Sequence, residues 1–194
     1  MILSDRDIKV AVASGDITID PYDEANVQPA SYDLHLDKHF LVFDTQKNAV
    51  IDPKQPVDEM MREVTITDDQ PFVLHPGQFA LGLIFEETGV SDQLVGRLEG
   101  KSSVGRLGVL IHVTAGFLDP GNKLKMTLEL HNTAELPILL HYKMPIAQIA
   151  FETISSAAEN PYGSSKLTSK YSGDIKPKAS QMHKNWDSHK GEWK

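Results

Sequence analysis

Apolar residues in this chain come in short runs, and Pro, Gly or Asp interrupts them throughout the first 154 residues. Short apolar runs bounded by turn formers suit β-strands, whereas a buried helix needs a longer periodic stretch. The expected strands are residues 31–36, 40–42, 63–66, 72–75, 78–85, 94–98, 109–113, 124–131, 138–140 and 146–153. His75-Pro76-Gly77 and Asp119-Pro120-Gly121 mark turns between them. Ahead of them, residues 4–14 predict one short helix, with Ser4 and Asp7 as a capping box and Gly15 as the stop. About ten short strands in so little chain point to a mainly β fold, a barrel or a jelly-roll-like sandwich.

The last forty residues differ. From Ser155 to Lys194 the chain is rich in Ser, Lys, Asn and Gly and poor in aliphatics, the composition of a mobile tail. Yet Tyr162, Tyr171, Trp186 and Trp193 are groups able to dock onto a surface or a ligand. The expected division is a β domain over residues 1–154 and a tail or lid over residues 155–194.

Composition narrows the chemistry. The 194 residues include no Cys, which removes disulfides, thiolate zinc sites, iron–sulfur clusters and cysteine nucleophiles. None of the eight His has a Glu two residues later, so the zinc deaminase signature is missing as well. The net charge is −8 and the pI about 5.4, which makes the chain a poor generic ligand for nucleic acid or anionic membranes. A polyanion would need a local cationic cluster. No apolar run approaches the ~18 residues of a membrane span. Met1-Ile2-Leu3 gives way at once to Ser4-Asp5-Arg6-Asp7, without an apolar signal core. The expectation is a soluble cytoplasmic protein.

Residues 96–108 supply the cluster. Arg97, Lys101 and Arg106, two serines and four glycines fall within thirteen residues. Glycines let backbone N–H groups approach phosphate oxygens, and the cations neutralise their charge. The Walker pattern is missed by one residue, because only three residues separate Gly96 from Gly100, and β-like residues follow in place of a helix. The competing reading is a Gly-rich turn with solvated charges.

Leu124 to His131 alternates. Leu124, Met126, Leu128 and Leu130 form a core face, and Lys125, Thr127, Glu129 and His131 share the other. By itself Glu129 is a solvated strand carboxylate; sharing a cleft with the Lys101–Arg106 segment would make it a general base beside bound phosphates. Ala115-Gly116 leaves room for a flat ligand. Asp119 suits a turn, and Gln148 is an amide in an apolar strand that needs partners.

Five ordered segments carry a resemblance. Gln28-Pro29-Ala30-Ser31-Tyr32-Asp33-Leu34, residues 96–108, residues 112–121, Thr127-Leu128-Glu129 and Pro161-Tyr162-Gly163 resemble the dCTP deaminase branch of the dUTPase-like superfamily. The similarity is collinear from Met1 to about Gly173. It is strongest to the bifunctional, dUMP-forming members, hydrolases of nucleotide metabolism that deaminate dCTP and then hydrolyse the triphosphate in the same site. The resemblance implies a distorted β-barrel or jelly-roll-like subunit, a homotrimer with sites at subunit interfaces, dCTP and dUTP as ligands, and dTTP as a feedback inhibitor.

It also implies roles. Glu129 falls on the catalytic glutamate, with Ser102, Arg106 and the backbone near Ala115 polarising the base. Lys101, Ser102, Ser103, Val104, Gly105 and Arg106 would bind triphosphate and build the base pocket. Asp119 would contact the deoxyribose, while Thr127, Leu128 and Gln148 hold base and phosphates. Tyr162 and Lys170 would close over the phosphates. Magnesium would travel with the triphosphate, and no zinc is expected. The rival readings are a deaminase that stops at dUTP, a dUTPase, and a non-catalytic nucleotide-binding trimer. The chain departs from the family pattern at Asn122, where an aromatic usually packs on the sugar, and at Asp174, where Gln is common.

Overall fold

A computed structural model describes residues 1–47, 49–114, 116–167 and 169–194. The helix expected near the N-terminus is Asp5–Ser14. Ser4 caps it by accepting from Asp7 N–H, and Gly15 ends it in the left-handed conformation at φ 85°. Glycine takes that conformation without the Cβ clash other residues meet.

Two five-stranded antiparallel sheets organise the domain. In the first, Phe117–Leu118, Leu94–Gly100, Pro145–Thr153, Ser31–His35 and Val27–Gln28 lie side by side. The second runs Val109–Leu110, Thr127–Asn132, Phe79–Leu83, His39–Phe43 and Met61–Thr65. Their inward faces share one core: Tyr32, Leu34, Leu98, Ile149 and Phe151 from the first meet Phe40, Ala80, Leu128 and Leu130 from the second. Among the described residues neither ladder closes on itself, so of the two expected forms the jelly-roll-like sandwich describes the pairing. No helix among these residues is long and apolar enough to cross a membrane.

The structure differs from expectation at three places. The run 124–131 is not one strand: Lys123–Leu124 pairs with Glu87–Val90, and Thr127–Asn132 pairs with Phe79–Leu83. The side chains keep alternating across the break, which hides the change of partner. Ile17–Asp20 pairs with Glu87–Val90 in a small third sheet that was not expected. Its signal is four residues long and gains meaning only from its partner. In the cationic segment the strand continues to Gly100, and Ser102–Gly105 forms a single helical turn where a loop was expected.

The tail is structured where it is described. Met182–Asn185 is a 3₁₀ turn, and Trp186–Asp187 pairs with Glu192–Trp193. The two Trp rings meet edge to face at 5.1 Å, and the Lys54 ammonium lies 4.0 Å from the Trp186 ring centre. Those contacts tie the end of the chain to the loop before Met61–Thr65.

Candidate active site

Alternation along Thr127–Asn132 buries Leu128 and Leu130 and turns Thr127, Glu129 and His131 outward. Thr127 and Glu129 thereby line a cleft of about 650 Å³. Its floor is apolar, built from residues such as Phe79, Leu81, Leu124 and Met126. Asp119, Asn122 and Phe117 come from the preceding turn and strand, and Tyr162, Tyr171, Asp174 and Lys178 from the tail.

Glu129 is held at one oxygen only. Its Oε2 accepts from the N–H groups of Val113 at 2.9 Å and Thr114 at 3.2 Å. Its Oε1 has no partner among the described residues and is free to meet a molecule in the cleft. The backbone of the same residue donates to Ile111 C=O at 3.0 Å, so strand and loop position the carboxylate together. One tethered and one free oxygen is the arrangement a proton-transfer carboxylate needs.

Asp119 lacks such donors. Burial pushes its carboxyl above the ordinary carboxylate value, because the cleft solvates the charged form poorly. Since the folded value lies above the unfolded one, the proton on Asp119 favours folding. That contribution is complete below about pH 3.9 and is lost as pH rises through the higher folded value. Asp119→Asn, which never ionises, should therefore be more stable than the parent protein near pH 7. Urea unfolding at neutral and acid pH reads the difference, which should shrink below pH 4.

Tail and turn meet at Gly121. Its φ is +82°, and a Cβ built there would lie 2.6 Å from Pro161 Cβ. Next to it Tyr162 N–H donates to Pro120 C=O at 2.8 Å, and Tyr162 OH accepts from Tyr171 N–H at 3.2 Å. Gly121→Ala should cost about 1–2 kcal/mol in backbone strain alone and push Pro161 away. Limited proteolysis should then cut the 161–178 stretch faster than in the parent; equal rates would mean that the tail does not depend on this contact.

The cationic segment lines a second cleft, of about 490 Å³, with Lys101, Ser102, Ser103, Arg106 and Gln148 on its walls. Lys101 Nζ pairs with Asp33 Oδ2 at 2.6 Å, and Gln148 Oε1 accepts from Ser31 Oγ at 3.1 Å. Arg106 is exposed and has no ion-pair partner among the described residues. Within one chain, then, Glu129 does not share a cleft with Lys101–Arg106, as the sequence reading required. Gln148 joins the cations and is separated from Thr127.

Other expected positions differ in what they present. Val104 and Leu128 bury their side chains in the core and offer a ligand only backbone. Gly105 is exposed. Ala115 lies outside the described residues. Lys170 lines neither cleft, and its carbonyl accepts from Lys178 Nζ at 3.3 Å. Asp174 faces Lys178, its Oδ1 3.0 Å from the ammonium, while its carbonyl accepts from Lys125 N–H.

Sequence reasoning missed Lys178 as a wall of the Glu129 cleft, and Asp33 as the partner of Lys101. Lys178 is one of seven lysines in the tail, with nothing local to single it out. Asp33 carried a signal: it shares the polar face of Ser31–His35 with Ser31 and His35, Tyr32 and Leu34 on the other face being buried.

These features define an antiparallel β-sandwich with two small-ligand clefts, one lined with carboxylates and one with cations. The family model described as dCTP deaminase-like matches residues 2–154, and the chain belongs to that family. "dCTP deaminase, dUMP-forming" of Corynebacterium jeikeium is 52% identical over 188 residues, covering 97% of this chain and 100% of the relative. The protein of the same name from Beutenbergia cavernae is 51% identical, with 94% and 95% covered. Among solved structures, 2′-deoxycytidine 5′-triphosphate deaminase from Agrobacterium tumefaciens superposes with a TM-score of 0.62 at 23% identity. That match covers 79% of this chain and 48% of the other, so this chain spans about half its length, and the likeness is one of fold.

Proposed function

We propose that the chain converts dCTP to dUMP in two hydrolytic steps. Water and dCTP first give dUTP and ammonia; water and dUTP then give dUMP and diphosphate. The observation that carries this reading is the Glu129 carboxylate, tethered at Oε2 and free at Oε1 inside an apolar cleft. The name of the two relatives above supports the choice of substrate and product.

In the first step water adds to the ring carbon that bears the amine. Glu129 Oε1 takes a proton from that water and passes it to the ring nitrogen, then carries the proton of the added hydroxyl to the departing amine, which leaves as ammonia while the hydroxyl becomes the carbonyl. The two backbone donors keep the carboxylate oriented while it does so. Thr127 and the backbone of Leu128 flank the base.

Neither cleft suffices alone for a triphosphate. Asp119, Glu129 and Asp174 line the first, and its Lys178 is already paired with Asp174. The second has Lys101, paired with Asp33, and Arg106; among the described residues Arg106 has no ion-pair partner and the lining holds no carboxylate. Like charges would repel the phosphates from the first cleft, and the second lacks a base. We therefore assign the site to a homotrimer, in which the cationic cleft of one subunit meets the Glu129 cleft of its neighbour. The exposed side chains of Leu107, Leu110, Val113 and Phe117, on the segment between the two sets of residues, support a contact with another copy.

Ser102 and Arg106 then polarise the base, and Lys101, Ser103, the backbone of Val104 and Gly105, and Gln148 hold phosphates or base edge. Magnesium arrives as part of the substrate, on the triphosphate. Among the described residues, no group of three or more His, Asp or Glu could hold an ion by itself. In the second step Asp119 orients the water that attacks the α-phosphate, while Lys101 and Arg106 offset the charge that builds on the diphosphate. Tyr162 and Lys170 close the tail over the nucleotide. dTTP, which shares the sugar and the triphosphate, competes for the same cleft as an inhibitor.

Incubation with magnesium and dCTP, followed by separation of products, tests the reading. Equal amounts of dUMP and diphosphate are expected. Accumulating dUTP would leave a deaminase only, and hydrolysis of dUTP with inert dCTP would leave a dUTPase. Binding without turnover of either would make the protein a nucleotide-binding regulator.

A further inference from the structure

Residues 163–180 supply part of the Glu129 cleft but have little of their own to hold them there. Tyr171, Asp174, Lys178 and Ser180 stand on its wall. The segment's two large aliphatic side chains, Leu167 and Ile175, are 46% and 63% exposed. Among the described residues, one hydrogen bond joins the segment to residues 1–160, from Lys125 N–H to Asp174 C=O at 2.8 Å. So polar a stretch buries too little apolar surface to offset the entropy lost when it is ordered. What orders it acts at its ends.

The near end is the contact of Gly121 with Pro161. At the far end Gln181 is only 5% exposed. Its N–H donates to Tyr171 OH at 3.0 Å, and Tyr171 N–H donates in turn to Tyr162 OH. Gln181 Nε2 lies 3.5 Å from Asp58 Oδ1, a partner 123 residues away along the chain. The 3₁₀ turn Met182–Asn185 leads from there to Trp186, which has the Lys54 ammonium 4.0 Å and the Trp193 ring 5.1 Å from its own ring centre. Backbone pairing supports the ring: Trp186 pairs with Trp193, and Lys194 N–H donates to Asn185 C=O at 2.8 Å. Aromatic pairs and a cation over an indole are strong contacts for a half-exposed surface. Here they are made by residues that line neither cleft.

We infer that Trp186 is a positioning residue: docked on Lys54, it anchors residues 171–180 over the Glu129 cleft before a nucleotide arrives. The anchor acts on the population of the binding-ready state. When only a fraction of the molecules holds the segment in place, the apparent dissociation constant rises by the inverse of that fraction. The ligand used in the test rests on the reading of the cleft as a dCTP site; the anchor itself does not.

Hydrogen exchange of the full chain without nucleotide tests the anchor directly. In Trp186→Ala the amides of residues 171–180 should exchange about tenfold faster than in the parent protein, the scale of the lost ring contacts. Those of Phe79–Leu83 and Thr127–Asn132 should keep their rates. Calorimetric binding of magnesium dCTP should weaken about fivefold, as the docked fraction falls to about a fifth. Deamination at saturating dCTP should stay within about twofold of the parent, because bound nucleotide restores the docked segment. Trp186→Phe keeps an aromatic face for Lys54 and should return both exchange and affinity to near the parent values.

Unchanged exchange at residues 171–180 overturns the proposal. So does faster exchange with unchanged dCTP affinity, or a saturating rate that falls while affinity holds. Acceleration that spreads into the two strands makes Trp186 a general stabiliser of the fold and refutes a local anchor. A parent protein that binds no dCTP fails the functional reading, and exchange still decides the anchor: faster local exchange in Trp186→Ala keeps it, and equal rates discard it.

Discussion

Glu129→Gln is expected to lower dCTP deamination by roughly a thousandfold or more while nucleotide binding and fold persist. The geometry makes this substitution unusually clean. The amide oxygen of Gln can accept from Val113 and Thr114 N–H as Oε2 does in the parent protein. The reverse orientation would aim an NH₂ group at two N–H donors, so the side chain has one favourable setting. What turns to the cleft is then an NH₂ group that cannot take a proton from water. A thousandfold loss corresponds to about 4 kcal/mol of barrier, within the range of a missing general base. Single-turnover deamination and dCTP binding, measured on the same preparation, give the two readouts. Deamination within tenfold of the parent protein would remove Glu129 from the role of base.

Mixing two inactive variants should restore activity. Glu129→Gln disables the carboxylate cleft, and Arg106→Ala disables the cationic one. Arg106 is exposed and has no ion-pair partner among the described residues, so its loss should leave the subunit folded. If each site takes Glu129 from one subunit and Arg106 from the next, co-expressed subunits of both kinds rebuild some intact sites. In every mixed trimer one interface in three brings an intact Glu129 to an intact Arg106, so about a third of the parent activity is expected. Against two variants that are each nearly silent, the gain would exceed a hundredfold. Co-assembled protein, isolated with two affinity tags, decides the matter. Activity no higher than the sum of the separate variants would mean that the two clefts do not cooperate across subunits.

Part of the fold and several groups of the candidate site were readable along the chain, and the physical reasons are specific. Ser4 and Gly15 mark a helix by groups that act within four residues of its ends, so the Asp5–Ser14 helix needed no tertiary information. Glu129 emerged because a strand alternates with period two, which separates it from Leu128 and Leu130 without reference to any partner. The helical turn at Ser102–Gly105 escaped, because four residues with two serines and a glycine carry no periodic signal. Lys178 escaped for a different reason: a lysine in a polar tail looks the same whether it faces solvent or Asp174.

Local sequence alone thus determined the β class, the inward and outward faces of each strand, and the residue types available for chemistry. An absence of Cys and a compact group of cations are properties of the chain in any conformation. Strand partnership is not. That Thr127–Asn132 pairs with Phe79–Leu83 while Pro145–Thr153 pairs with Leu94–Gly100 divides Glu129 from Gln148 and Arg106. Pairings between residues tens of positions apart follow from the shared core, which no window of sequence contains. The same long-range packing brings Tyr162 of the tail onto the turn that carries Asp119. Sequence supplied the candidate groups; only the tertiary structure decided which of them face one another.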